Sequence, residues 1–273
     1  MEGTKGRASA IRISAPDVAR LLGAGAAALI AINVVLLWAW FAGTGWVRPG
    51  VLRLFYVDSE QNLPSFYSAL LLFLPAAAVG VVAALKRRAG ARYARHWAVL
   101  SLAFLYLSFD EAASLHEAAI GPMRELLGPY ASGVLWYAWV APASLAVAVF
   151  GLSYLRFLWA LPVRTRCGMI ASGIVYLAGA LGMEMAGSNY AFRHGVDTFA
   201  YAMLSTVEES LEMAGLVWFL YMVLDYLGRV YGAVTVELGG VKPANASAER
   251  EPPGPGGRNA ELLRSATRES LRR

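Results

Sequence analysis

The 273-residue sequence has a single cysteine, Cys167, and only three histidines. One cysteine excludes an internal disulfide and any zinc or iron–sulfur site built on thiolates. With only His96, His116 and His194, the paired Glu-x-x-His motifs of di-iron bundles and the His-rich boxes of membrane desaturases are absent. A zinc site resting on three imidazoles would need His96, at the opposite boundary of the expected bilayer from the acids described below. Charge is scarce too: 16% of residues are charged and 58% apolar, against about 25% and about 45–50% in soluble domains. An ordinary soluble globule is excluded, as are collagen-like and disulfide-scaffold chains. The net charge of +5 does not point to nucleic acid, because the basic residues sit in short loops and a tail rather than on one folded face.

What the sequence does have is a series of long apolar blocks, each near the roughly 20 residues that cross a bilayer as a helix. They predict spans from Leu21 to Ala42, Ser65 to Leu85, Trp97 to Glu117, Ala131 to Leu155, Gly168 to Ser188 and Phe199 to Tyr226. The expected fold class is therefore all-α, a polytopic membrane helix bundle of six transmembrane helices. Lys5, Arg7, Arg12 and Arg20 precede the first block as in a signal peptide, but its apolar run is too long for a cleaved one, so an uncleaved helix is expected. Loop charge orients the chain. Lys86, Arg87, Arg88, Arg92 and Arg95, then Arg156, Arg164 and Arg166, fall on the same side as the N-terminus. The opposite loops hold only Arg48, Arg53, Arg124 and Arg193. Both termini are expected to be cytoplasmic, in a bacterial plasma (inner) membrane.

Residues 1–20 read as a cytoplasmic segment, 21–228 as the six-helix domain, and 229–273 as a disordered basic tail rich in Pro, Gly and polar residues. Trp38, Trp40 and Trp46 at one end and Trp97, Trp159 and Trp218 at the other fit interfacial aromatic belts. Pro75 and Pro142 fall inside spans, where a kink is tolerated.

Carboxylates stand where a bilayer should have none. Asp110, Glu111 and Glu117 lie in the third span, Glu184 in the fifth, and Glu208, Glu209 and Glu212 in the sixth, with no Lys or Arg inside those spans. Leaving Glu117 aside, at about 2.5–3.5 kcal/mol per mid-membrane acid the insertion penalty is roughly 15–20 kcal/mol, at or above a typical domain's whole stability. Protons, water in a cavity, arginines from the outer loops, or bound cations must offset it. Helical phase puts Tyr106, Asp110, Ser114 and Glu117 on one face of the third span, with Glu111 at its edge and His116 on the far side. On the sixth, Ser205, Glu208, Glu209 and Glu212 share an arc. Small residues around Glu184, such as Gly179 and Gly187, allow close helix approach.

The outer loop FYVDSEQNLPS adds Asp58, Glu60 and Asn62, oxygen ligands at alternate positions that suit a hard cation. Leu63 and Ala69 end the similarity to an EF-hand loop. Asn62 and Ser65 around Pro64 equally fit a cap on the second helix. A carboxylate set with His116 suits Mn, Fe, Mg or Ca better than zinc.

In the runs FYVDSEQNLPSFYSALLLF and LSFDEAASLHE the chain resembles a family of bacterial multi-pass membrane proteins to which no activity is assigned. It also resembles the alkaline ceramidase and adiponectin-receptor hydrolases, which combine an acidic loop before a span with an Asp at a helix end. That resemblance implies that Asp58, Glu60, Asn62 and Asp110 correspond in kind to such acids. Those hydrolases have seven spans and use Ser, Asp and three His around zinc, so with the histidines missing no zinc chemistry carries over. Three functional expectations follow. The first is a metal-dependent enzyme acting on a lipid or apolar substrate. Its divalent metal is held by Asp110, Glu111, His116, Glu208 and Glu212, with Glu117 at the outer end and Asp58, Glu60 and Asn62 at the mouth; Glu184 or Glu209 is the general base. The second is a cation or proton carrier that uses the same acids as a relay. The third is a structural subunit of a membrane complex.

Overall fold

Ser14, Asn62 and Thr198 each accept a hydrogen bond from the backbone N–H three residues on, and each starts a long helix. The computed structural model, which describes residues 14–232, contains helices and no strand among those residues. In chain order they are α1 (Ala15–Phe41), α2 (Pro49–Phe55), α3 (Leu63–Arg88), α4 (Ala94–Ala113), α5 (Leu115–Leu127), α6 (Val140–Trp159), α7 (Val163–Leu177), α8 (Glu184–His194) and α9 (Phe199–Tyr231). A π-helical stretch, Ala178–Met183, joins α7 to α8.

Five helical segments are long and apolar enough to cross a membrane: α1, α3, α6, the continuous Val163–His194, and α9. The pair Ala94–Ala113 and Leu115–Tyr130 passes the same test together, but is bent by 84°. The described residues are therefore all-helical, with five or six apolar helices whose length and composition fit a membrane bundle. The expected third span, Trp97 to Glu117, is not one straight helix. Ser114 takes a left-handed conformation (φ 52°), which ends α4 and turns α5 away. No Gly or Pro announces that break in LSFDEAASLHE.

Other boundaries shift as well. The expected fourth span begins at Val140 rather than Ala131, because residues 128–135 form two short 3₁₀ turns. Pro142 consequently sits in a first helical turn, where no N–H is needed and no kink results. The fifth span is longer than expected. The tail beyond residue 232 and the segment before residue 14 lie outside the described residues.

Helix α9 is the central element, packing against α1, α3, α7, the π stretch and α8. Its contact with α7 and the π stretch is backbone-close. A Cβ on Gly215 would lie 2.6 Å from Tyr176 N, and one on Gly179 would lie 2.7 Å from Glu208 O. Small residues at such crossings replace the hydrophobic effect, which is absent in lipid, with van der Waals contact between backbones. Polar ties add to this. Asn33 of α1, fully buried, donates from Nδ2 to Thr206 Oγ1 of α9 (2.9 Å), and its Oδ1 accepts from Val57 N (3.3 Å). Ser101 and Ser108 of α4 donate to the Ala76 and Ala69 carbonyls of α3 at 2.7 and 2.8 Å.

Apolar packing divides in two along α9. Ala26, Leu71, Leu72, Met213 and Leu216 form a middle cluster. A larger one toward the arginine-rich end gathers Val79, Trp97, Phe157, Met222, Val223 and Tyr226. Trp97 is 1% exposed, so it is a core residue and not part of a belt. Trp38, Trp40, Trp46, Trp159 and Trp218 are exposed, as belt residues must be. The helix α6 stands at the edge of the bundle, held by Tyr154 OH donating to His96 O (2.8 Å) and by Phe157 packed edge-on to Trp97.

Gly215→Ala is expected to cost about 1–3 kcal/mol in detergent unfolding followed by circular dichroism, because the new methyl meets backbone that cannot step aside. Gly168→Ala should cost less, since its methyl meets only the flexible Met222 side chain. Equal losses would contradict the backbone-close crossing.

Candidate acidic cavity

The acids predicted from the sequence line one cavity of about 390 Å³. From α4 come Asp110 and Glu111, from α5 His116 and Glu117, from α8 Glu184, and from α9 Glu208, Glu209 and Glu212. Asp58 and Glu60 of the loop before α3 close its mouth. No Lys or Arg is in the lining. Arg124 and Arg193, one of the alternative means of offsetting the acids, are engaged elsewhere. Arg124 lies 3.6 Å over the Trp136 ring and donates to Trp136 O, and Arg193 donates to Asn189.

Each wall has a local cause. The left-handed turn at Ser114 carries His116 back over α4, so that its Nδ1 lies 3.0 Å from Asp110 Oδ2. The sequence reading put His116 on the far side of a continuous helix; the broken helix corrects that placement. The same reading put Tyr106 on the acid face, but Tyr106 is exposed and Leu107 takes its place in the lining. An Asp holding one ring nitrogen fixes the imidazole's tautomer and leaves the other nitrogen free to bind a cation or accept a proton. That role makes Asp110 an orienting group as well as a candidate ligand. The His116 ring packs on Trp139 at 5.0 Å between centroids.

Trp139 also donates from Nε1 to Glu184 Oε1 (2.8 Å). It is placed by Ser188 of α8, fully buried, whose hydroxyl accepts from Tyr137 N and donates to Gly133 O. Across the cavity Ser68 of α3 donates to Glu209 Oε2 (3.3 Å). Glu212, deepest on α9, has no hydrogen bond among the described residues. At the mouth Tyr201 donates to Asp58 Oδ1 (3.4 Å) and is 2.9 Å from the Tyr137 hydroxyl.

Asn62 does not line the cavity. Its Oδ1 accepts from Ser65 N, its Nδ2 donates to the Arg53 and Tyr56 carbonyls, and Ser65 Oγ accepts from Asn62 N. Asn62 is thus the α3 cap, and of the three outer-loop candidates it is the one outside the cavity lining. Burial pushes the Asp58 carboxyl above its ordinary range, against the opposing hydrogen bonds from Ser205, Tyr56 and Tyr201. Burial raises Glu60 likewise, with the charge of Glu117 adding to it and Ser114 opposing.

Sequence reasoning missed Tyr137, Trp139, Tyr176 and Tyr201, all in the lining. Aromatic residues near helix ends read as membrane belt, and no spacing rule separates a belt tyrosine from one that turns inward. Several buried oxygens at the cavity lack a partner: Asp110 Oδ1, Glu60 Oε2 and Ser114 Oγ. Among the described residues no group of three His, Cys, Asp or Glu is already set at metal-holding spacing.

The chain belongs to the family described as a domain of unknown function (DUF8692), whose model matches residues 22–225. No curated protein and no solved structure matches it.

Two outcomes are expected. Ser114→Gly keeps the turn, whereas Ser114→Val forces a branched residue into left-handed space at about 1–2 kcal/mol and detaches His116 from Asp110; nitrogen NMR of labelled His116 reads the loss as a changed tautomer. The second concerns pH. Asp58 holds its proton more tightly when folded, so its contribution to stability is present below its ordinary value of 3.8 and is lost as pH rises from there. Asp58→Asn should flatten that decline in thermal unfolding; a wild-type stability that instead rises over the same range would contradict the assignment.

Proposed function

We propose that this protein is a membrane-embedded enzyme whose acidic cavity binds a divalent cation and acts on a lipid or other apolar substrate. The observation that carries the reading is a cavity bearing nine carboxylates and one imidazole with no Lys or Arg in its lining. A site so built attracts a cation, and its orphaned oxygens on Asp110 and Glu60 are the groups a cation would satisfy. His116, oriented by Asp110, offers its second ring nitrogen as a ligand; Glu111, Glu208 and Glu212 supply oxygens. The ligand chemistry favours Mn, Fe, Mg or Ca. Bound there, the cation would polarise a substrate oxygen or activate water. Glu184, held by Trp139, or Glu209, held by Ser68, serves as general base.

An apolar substrate is supported by the side wall. Ala143 and Val147 of the edge helix α6 and Ile120 of α5, small or apolar groups, bound the cavity there. The enzyme reading is favoured over the carrier reading by what lies beneath Glu212. Met213, Leu216, Leu71 and Leu72 pack there, and the Trp97–Phe157–Tyr226 cluster follows. Catalysis needs one entrance and transport needs two. The proposed orientation puts both termini in the cytoplasm and the cavity mouth outside the inner membrane, with α4 and α5 together counted as the third of six spans.

Protein extracted in mild detergent is expected to carry about one divalent metal per chain, or per pair in a two-metal site, measured by inductively coupled plasma mass spectrometry. Glu208→Gln with Glu212→Gln should lose it while keeping the helical circular dichroism spectrum. Metal-free wild type that instead supports ion flux in liposomes, abolished by Glu212→Gln, would replace the enzyme with a carrier. For topology, a cysteine at Thr44 should label from outside intact cells and one at Ala89 should not, in a Cys167→Ser background; the reverse would invert the bundle.

A further inference from the structure

The arginine-rich end of the bundle holds a second concavity, unrelated to the acidic cavity in position and opposite in charge. It has a volume of about 1180 Å³ and is open to the surface. Four arginines from different elements line it: Arg87 from the end of α3, Arg92 from the α3–α4 turn, Arg95 from the start of α4 and Arg156 from α6. His96, Tyr93 and Ser153 add hydrogen-bonding groups, and among the described residues no Asp or Glu is in the lining. None of the four arginines has a carboxylate partner among the described residues. The basic side chains of Arg164 and Arg229 at the same end are different, because both are tied to Asp225, at 3.2 and 2.8 Å.

The turn that builds this concavity is strained. Tyr93 adopts φ 69°, a left-handed conformation that bulky L residues rarely enter. It is held there by edge-on packing against His96 (5.0 Å) and Phe157 (5.9 Å), and the Arg92 guanidinium lies 4.9 Å over its ring. The result is that Arg92 and Arg95, on either side of the turn, both reach one hollow. Above it the two lining helices are apolar and uncovered. On α4 the face that carries Arg95 continues through Val99, Leu102 and Tyr106, and on α6 the face of Arg156 continues through Leu152 and Val149; all are exposed. The hollow therefore opens onto the lipid phase and not only onto water.

From this arrangement we infer that the concavity is a binding site for the phosphate of an anionic phospholipid. The arginines clasp the phosphodiester, Ser153 and Tyr93 meet the headgroup, and the acyl chains run along the exposed faces of α4 and α6. Free phosphate shares the headgroup chemistry but makes no use of the apolar faces. The area of this second site is far from Glu208 and Glu212, so its occupancy is independent of the metal reading.

The test titrates a short-chain phosphatidylglycerol, phosphatidylcholine or inorganic phosphate into the full chain in detergent and reads bound lipid by native mass spectrometry. Phosphatidylglycerol should bind in preference to phosphatidylcholine, and millimolar phosphate should not displace it. Arg92→Gln with Arg95→Gln and Arg156→Gln should weaken phosphatidylglycerol by about tenfold or more. Arg156→Gln alone, which leaves the strained turn untouched, should give a smaller loss in the same direction. Arg164→Gln with Arg229→Gln should leave binding unchanged. Equal losses from both sets would show diffuse charge and overturn the site; displacement by phosphate would overturn its assignment to lipid.

Discussion

A carboxylate inside an apolar bundle has to be met by a proton, by water, by a cation or by another residue, and among the described residues no Lys or Arg lines the chamber. That constraint organises the structure. The acids are drawn into one chamber, where they can share water and any bound cation, rather than spread over lipid-facing surfaces where each would carry its own cost. The helices are then held by what the acids leave available. Glycines at Gly179 and Gly215 let α7 and the π stretch approach α9 to backbone contact, and buried Asn33 ties α1 to the same helix. Directly below the chamber the bundle is closed by apolar side chains, Leu71, Leu72, Met213 and Leu216.

The π stretch Ala178–Met183 serves the same constraint. A π turn widens the helix by one residue and leaves backbone groups less regularly paired, a feature found most often at functional sites. In this chain it lies directly before Glu184 and beside Glu208 and Glu212 of α9. It lets the two helices pass closely at Gly179 while Glu184 still faces the chamber and meets Trp139. A regular α-helix through the same residues would turn Glu184 by roughly 100° per inserted or deleted position, out of the lining.

Much of the chamber was legible in the sequence because α9 is one unbroken helix, Phe199–Tyr231, and within an unbroken helix phase says which residues share a face. Glu208, Glu209 and Glu212 fall together for that reason. His116 did not, because its position depends on Ser114 entering left-handed space, and a serine followed by leucine carries no signal for that. Pro142 looks like a kink from the apolar block that starts at Ala131, whereas the 3₁₀ turns delay the helix to Val140. Asn62 was ambiguous for a chemical reason: an amide side chain is equally a ligand and a cap, and only the position of Ser65 N decides. Trp97 shows the same limit for aromatics, since an amphipathic ring at a helix end suits both a bilayer interface and a packed interior.

The account stands on a chamber with one entrance, filled with acid and able to hold a cation. A structure of the full chain in a lipid nanodisc with manganese present tests this most directly. The account predicts density for the metal between His116 and the Glu208–Glu212 face, with Met213 and Leu216 closing the floor. Acids of α4 and α9 facing lipid, or a water-filled path running past Leu216 to the arginine-rich end, would contradict it.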